Sequence, residues 1–194
     1  MEVLIVAATE LEVVSENVRN FPVLITDVGM VNTAINLTKE LIKSDYDLVI
    51  NMGIAGSFSD DVKIWYVVEV VEDTFSEIGF EDGDKFSEFT DFRIKTSYSV
   101  KSKTNLRKAK GVTINTVLGK EDSITEIVNR INSDIETMEG ASVFKVCEEL
   151  DVSCMQIRAI SNNVEIRNKD NWDIDLAIRN LNSEVEKIID TLWN

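Results

Sequence analysis

The sequence contains no histidine. That absence removes Ser-His-Asp and Cys-His catalysis, together with every histidine-based metal site. Acid–base chemistry must then come mainly from carboxylates. A carboxylate metal cluster stays open, although no EF-hand spacing occurs. Basic residues are scarce as well. Twenty Lys and Arg face 35 Asp and Glu, for a formal net charge of −15. A nucleic-acid binder needs a basic face, so that class is disfavoured. The acidity serves solubility, and an anionic substrate would need just a local arginine or lysine. No run of about 18 uncharged apolar residues occurs, so no membrane span is expected. The opening Met1-Glu2-Val3-Leu4-Ile5-Val6 carries an acid and no basic leader. It is read as a first strand, not a signal peptide. Cysteines number two. Cys147 falls in an expected helix and Cys154 at the start of an expected strand, and both are expected to be reduced core residues of a cytoplasmic protein.

What the chain does have is enough apolar content for a core: 44% hydrophobic residues over 194 positions. That suits one domain, taken here as residues 1–194. Apolar, β-branched runs at 3–7, 23–28, 48–52, 66–71, 112–117 and 153–160 are expected strands. Several are continuous, as in strands buried on both faces. Helical periodicity lies between them, at 31–43 through Ala34, Leu37 and Leu41, and at 139–150 through Val143, Val146 and Leu150. The final segment, 172–193, repeats at Ile174, Ala177, Leu181, Val185, Ile188 and Leu192, with Asp170 or Asn171 as its expected cap. Strands alternating with helices predict one α/β domain with helices on both sheet faces. Residues 73–110 mix acids, glycines and aromatics and are expected to form an excursion or flap.

Ligands of α/β sheets bind beyond the carboxyl ends of the strands. Four polar constellations fall at such places. They are Ala7-Ala8-Thr9-Glu10-Leu11-Glu12, Asn51-Met52-Gly53-Ile54-Ala55-Gly56-Ser57, Glu136-Thr137-Met138-Glu139-Gly140-Ala141 and Arg158-Ala159-Ile160-Ser161-Asn162-Asn163. A single acid near a helix start can merely complement the helix dipole. Four such groups in order are harder to explain that way.

These four segments resemble the signatures of the purine nucleoside phosphorylase and methylthioadenosine nucleosidase superfamily. The resemblance runs from residue 1 to the final helix and is weakest in the irregular middle. It implies a single-domain three-layer α/β/α sandwich with a central mixed, twisted sheet. Phosphorylases of that superfamily hold phosphate with arginines, one of them at the place of Asn51, and they lack a glutamate at the place of Glu12. A phosphate site without a guanidinium is poorly supported, whereas a carboxylate repels phosphate and can activate water. Hydrolysis is therefore expected, with no phosphate, metal or cofactor.

The resemblance also implies roles. Glu12 matches the general base for the attacking water. As a cleft carboxylate expected to be exposed, it should matter little to stability. Glu139 matches the residue that grips the ribose hydroxyls, with Met138 packed under the sugar and Ala55 and Gly56 in the wall. Arg158 matches an arginine ordering the carboxylate–water network, and a structural ion pair to a helix acid is the alternative use of it. Gly29 matches a family glycine at the sugar end, and a plain strand-to-helix turn explains it equally well. Adenine-specific members carry aspartate after Arg-Ala-Ile-Ser, where this chain has Asn162. An asparagine delivers no proton, but its amide can pair with a 6-oxopurine.

The stretches Ser161-Asn162-Asn163-Val164-Glu165-Ile166-Arg167, Thr113-Ile114-Asn115-Thr116-Val117-Leu118-Gly119 and Glu136–Ser142 resemble the futalosine hydrolases. Those enzymes release hypoxanthine and dehypoxanthine futalosine in the alternative menaquinone pathway. Arg167 could pair with the substrate's carboxylate and Trp172 stack on its aryl ring. Equally, Arg167 could cap a loop and Trp172 start a helix in the core. The alternatives are a methylthioadenosine, S-adenosylhomocysteine or aminofutalosine nucleosidase, and a non-catalytic nucleoside-binding protein. The partner implied is a small purine nucleoside, with no nucleic acid and no membrane. A homodimer or a multiple of dimers is expected, because family members close each site with a neighbour's loop.

Overall fold

The computed structural model describes residues 1–83, 85–89 and 92–192. Its first half runs β1 (Val3–Ala7), a 3-10 turn (Glu10–Glu12), α1 (Glu16–Arg19), β2 (Val23–Ile25), α2 (Met30–Lys43), β3 (Leu48–Ser57) and β4 (Val67–Phe75). There follow β5 (Phe80–Asp82), β6 (Lys85–Ser87), β7 (Ser97–Ser99), β8 (Arg107–Thr113), α3 (Glu121–Arg130), β9 (Ile135–Thr137), α4 (Gly140–Glu149) and β10 (Ser153–Asn163). A second 3-10 turn (Lys169–Asn171) leads into α5 (Ile174–Leu192). Among the described residues, no helix is long and apolar enough to cross a membrane.

Period-2 alternation builds the layers. Val3, Ile5 and Ala7 of β1, with Ile50, Met52, Met155 and Ile157, pack under Ala177, Leu181, Val185 and Ile188 of α5. Their neighbours Leu4, Val6, Val49 and Cys154 face the other way, against Leu37 of α2 and Val143, Phe144 and Cys147 of α4. The inner strands thus begin with continuous apolar runs because both faces are covered, and their polar residues, such as Asn51, Gln156 and Arg158, are buried. The result is the three-layer α/β/α arrangement. Cys147 and Cys154 are free and buried in the second of these cores.

The sheet is mixed. β1 lies parallel to β2 and β3, and β3 parallel to β10, while β10 and β4 are antiparallel. β4 continues to β8 and β8 to β9, both parallel, and β9 returns antiparallel to β3. Strands β3, β10, β4, β8 and β9 therefore close into a ring, from which β1 and β2 extend.

Several expected boundaries shift. β3 and β10 run on to Ser57 and Asn163, carrying polar motif residues inside the strands. The strand expected at 112–117 is β8, which ends at Thr113. The short elements α1, α3 and β9 were not expected. The 73–110 segment is less of a flap than its composition suggests. Asp73 is a buried residue of β4, and the segment contributes β7 and most of β8 to the sheet, plus the β5–β6 hairpin. The cap of α5 is neither Asp170 nor Asn171, which belong to the 3-10 turn. Asp173 Oδ1 accepts the Leu176 N–H at 3.1 Å and the Asp173 carbonyl accepts the Ala177 N–H at 3.1 Å. Of the final helix, the position expected for Trp193 lies outside the described residues.

Candidate active site

The chain leaving β1, the ends of β3 and β10 and the segment after β8 surround a cavity of about 310 Å³. That volume is within the range of small-ligand sites. Ala55, Gly56, Met138, Glu139, Asn162 and Trp172 line it, as does Glu12. Most of the residues expected at the site thus meet in one place.

Glu12 is not an exposed carboxylate, contrary to expectation. It is 9% exposed and sits at the end of the turn that follows β1. Oε2 accepts the backbone N–H groups of Ala8 and Thr9 at 3.1 and 3.0 Å, and Oε1 accepts that of Ile54 at 3.2 Å. These donors fix the carboxylate, and Oε1 keeps lone-pair capacity for a water. Its hydrogen bonds tie the β1 loop to β3, so Glu12 contributes to stability as well as to the site.

Arg158 lies behind the wall. It is 1% exposed and does not line the cavity. Its Nη2 donates to Asn51 Oδ1 at 2.5 Å, and Asn51 Nδ2 donates in turn to the Val6 carbonyl at 3.1 Å. A Cβ on Gly53 would stand 2.8 Å from Glu12 Oε1 and 2.9 Å from Arg158 Nη1. The missing side chain is what lets the two groups approach. None of the ion pairs among the described residues includes Arg158. Burial lowers its pKa, while the charges of Glu139, Glu12 and Asp73 act in the opposite direction. Arg158 therefore bears on the cavity through its charge and packing, not by lining it.

Glu139 stands at the N-terminal boundary of α4. Its Oε1 accepts the Gly29 N–H at 3.0 Å, and Gly29 turns the chain with φ +99°. Gly29 thus both makes the turn and holds the Glu139 carboxylate. Burial raises the Glu139 pKa, opposed by Arg158 and the Gly29 amide. The start of α4 is itself anchored. Thr113 Oγ1 accepts the Ala141 N–H and donates to Asp73 Oδ1, each at 2.8 Å, and Gln156 Nε2 donates to Asp73 Oδ2 at 3.1 Å. Burial pushes Asp73 up to about 6 in spite of these bonds.

At the other end of the cavity, Ile160 pairs with Ala55 and Asn162 with Gly56, so Ser161 is an extra residue in β10. Such a bulge re-aims the following side chain. Ser161 Oγ donates to Asn162 Oδ1 at 2.8 Å, and Asn162 Nδ2 donates to the Asn163 carbonyl at 2.9 Å. The Ser161 carbonyl also accepts the Asp173 N–H at 2.8 Å, which brings Trp172 to the rim. Trp172 is half-buried and lines both the cavity and an adjoining surface depression. Arg167 is exposed, lines the depression and not the cavity, and holds its guanidinium 5.2 Å from the Trp172 ring centre.

The sequence and structure have known counterparts. Residues 7–193 match the family model of the phosphorylase superfamily. The chain belongs to the phosphorylase superfamily. Futalosine hydrolase of Thermus thermophilus is 23% identical over 182 residues, covering 87% of this chain and 81% of that protein. Futalosine hydrolase of Streptomyces coelicolor is 27% identical over 157 residues, covering 76% and 67%. Among solved structures, the native futalosine hydrolase of Helicobacter pylori superposes with a TM-score of 0.85 at 16% identity, covering 98% of this chain and 97% of that one. The 5′-methylthioadenosine/S-adenosylhomocysteine nucleosidase of the same organism, bound to butyl-thio-DADMe-Immucillin-A, gives 0.85 at 15% identity, covering 98% of both chains.

One acid of the 136–141 segment was given no role of its own in the sequence. Glu136 is 5% exposed and lines the cavity from the middle of β9. The available signal was an acid flanked by Ile135 and Thr137 in a short segment that has to be a strand. Burial pushes Glu136 up to about 7, opposed by the Leu118 N–H.

Glu136 and Asp73 hold protons in the folded protein at pH values where the unfolded chain releases them. Their contribution to stability is present below about pH 4 and is lost as pH rises through about 6 to 7. Denaturant titrations from about pH 5 to about pH 8 should therefore show a smaller stability loss in Glu136→Gln than in wild type. Equal losses would mean that Glu136 is not buried with a raised pKa.

Proposed function

We propose that the protein hydrolyses the N-glycosidic bond of futalosine, releasing hypoxanthine and dehypoxanthine futalosine. One observation carries the hydrolytic part. The described cavity wall contains three glutamates, Glu12, Glu136 and Glu139, and no lysine or arginine. Breaking a glycosidic bond builds positive charge on the sugar, which carboxylates stabilise. A phosphate nucleophile would meet repulsion there and no guanidinium. The position where phosphorylases carry an arginine is Asn51, whose side chain is committed to Arg158 and Val6.

In this reading a water lies against Glu12, which takes its proton as the oxygen attacks the anomeric carbon. Glu139 accepts the ribose hydroxyls, and the Gly29 amide keeps its carboxylate aimed at them. Met138 packs beneath the sugar. The purine departs as the C–N bond breaks and takes its proton from solvent, to which Glu12 then returns the proton it took from the water. Asn162 steadies the departing purine with an N–H but supplies no acid. That favours a 6-oxopurine over adenine, whose departure needs ring protonation. The 5′ substituent of futalosine carries an aryl ring and a carboxylate. Trp172 spans the way from the cavity to the depression where Arg167 sits, which suits such a group. Pairing of two copies, each closing the other's 5′ end, belongs to the same proposal.

Two variants test it. Glu12→Gln should lower turnover by about two to four orders of magnitude, the scale of a positioned acid or base. Its amide would also turn a donor toward either the Ile54 amide or the Ala8 and Thr9 amides, costing about 1–3 kcal/mol in a denaturant melt. Near-wild-type turnover would place water activation elsewhere. Asn162→Asp should raise kcat/KM for aminofutalosine relative to futalosine by roughly ten- to a hundredfold. An unchanged ratio would show that Asn162 does not read the base.

A further inference from the structure

Asn182 of α5 does not line the cavity, yet it grips the segment that carries Glu12. The side chain is buried, 3% exposed, beside the apolar face that α5 lays on the sheet. Its Nδ2 donates to the Glu12 carbonyl at 2.9 Å and to the Ile178 carbonyl, one turn back in its own helix, at 2.8 Å. Its Oδ1 accepts the N–H groups of Val14 and Ser15, each at 3.0 Å. An amide has two donor hydrogens and two acceptor lone pairs, and all four are used here. Turned over, it would set N–H against N–H and oxygen against carbonyl, so its orientation is fixed by its neighbours.

Three of these contacts fall on Glu12, Val14 and Ser15, where the chain leaves the first 3-10 turn for α1. That stretch belongs to no strand. The carboxylate of Glu12 is held by the amides of Ala8, Thr9 and Ile54, and its main chain is held by Asn182. Glu12 is thus fixed at both ends. The same Nδ2 also binds Ile178, which does line the cavity, so one amide ties the turn of Glu12 to the helix that forms part of the wall. The packing of α5 is supplied by Ala177, Leu181, Val185 and Ile188. An apolar side chain at 182 could extend that packing, but it could not hold the backbone of residues 12–15.

Resting on the reading of Glu12 as the group that activates water, we propose that Asn182 is a positioning residue for the reaction. It fixes the main chain of Glu12 against α5 and so sets where the carboxylate meets the attacking water. A general base must lie within hydrogen-bond reach of the proton it takes, and a shift of about 1 Å can cost about a hundredfold in rate. Asn182 itself stays clear of the substrate, whose affinity is left to the residues of the wall.

The test is a double-mutant cycle read in steady-state release of hypoxanthine from futalosine. Asn182→Asp keeps the acceptor for Val14 and Ser15 but turns an oxygen toward the Glu12 and Ile178 carbonyls. It should lower kcat by roughly ten- to a hundredfold and leave KM within about threefold. In Glu12→Gln the positioned base is already gone, so adding Asn182→Asp should lower kcat by less than about threefold more. A role confined to folding would take the same factor from both backgrounds. Asn182→Ser, too short to reach the Glu12 carbonyl, serves if the aspartate variant does not fold. Ser15→Ala is the control, because it removes a cap of α1 and a tie to Glu186 of α5 while leaving the four Asn182 contacts in place. It should keep kcat within about threefold. Equal losses in the two backgrounds, or wild-type kcat in the Asn182 variants, would overturn the role of Asn182 alone. A wild type that does not hydrolyse futalosine, or Glu12→Gln at wild-type turnover, would overturn the reading of Glu12 and the role of Asn182 with it.

Discussion

Arg158 carries its charge with 1% of its surface exposed, and the acids Glu12, Glu139 and Asp73 are placed around it. A guanidinium buried this deeply is tolerable only where opposite charge and hydrogen bonds replace water. The local sequence meets that demand. Asn51 stands in the neighbouring strand to accept Nη2, and Gly53 is bare so that Glu12 and Nη1 can approach. The carboxylates in turn hold the backbone: Glu12 gathers the amides of Ala8, Thr9 and Ile54, and Glu139 that of Gly29. The field of one buried cation thus links β1, β3, β10, the turn before α2 and the start of α4.

That arrangement gives the cavity its polarity. The balancing positive charge lies beneath the wall, while glutamates line the space itself. Such a site favours a ligand that becomes positive during reaction. The sugar of a dissociating nucleoside does so, whereas a phosphate nucleophile brings negative charge.

Much of this was legible in the sequence, for identifiable reasons. The continuous runs of β1, β3 and β10 revealed strands covered on both faces, and Leu181, Val185 and Ile188 revealed the face of α5. The motifs around Glu12, Gly56 and Asn162 marked the cavity because they follow, or close, those strands, and that around Glu139 because it opens α4. What escaped depended on contacts distant in sequence. The burial of Glu12 follows from the Ile54 amide, 42 residues away. Arg158 looked like a residue of the site itself, and its withdrawal behind the wall follows from Asn51 and Gly53. Glu136 was quoted within its motif but given no role, because β9 has three residues, too few to show a period, and because its cavity-side neighbours come from β3 and β10. The polar 73–110 stretch looked irregular since β4 and β8 pair with each other across it.

The sharpest measurement is release of free base from futalosine, inosine and methylthioadenosine by the purified protein, each with and without inorganic phosphate. A carboxylate-lined hydrolytic site predicts hypoxanthine released from futalosine fastest, at a rate indifferent to phosphate. Turnover that requires phosphate, or adenine released from methylthioadenosine in preference to hypoxanthine from futalosine, would contradict it.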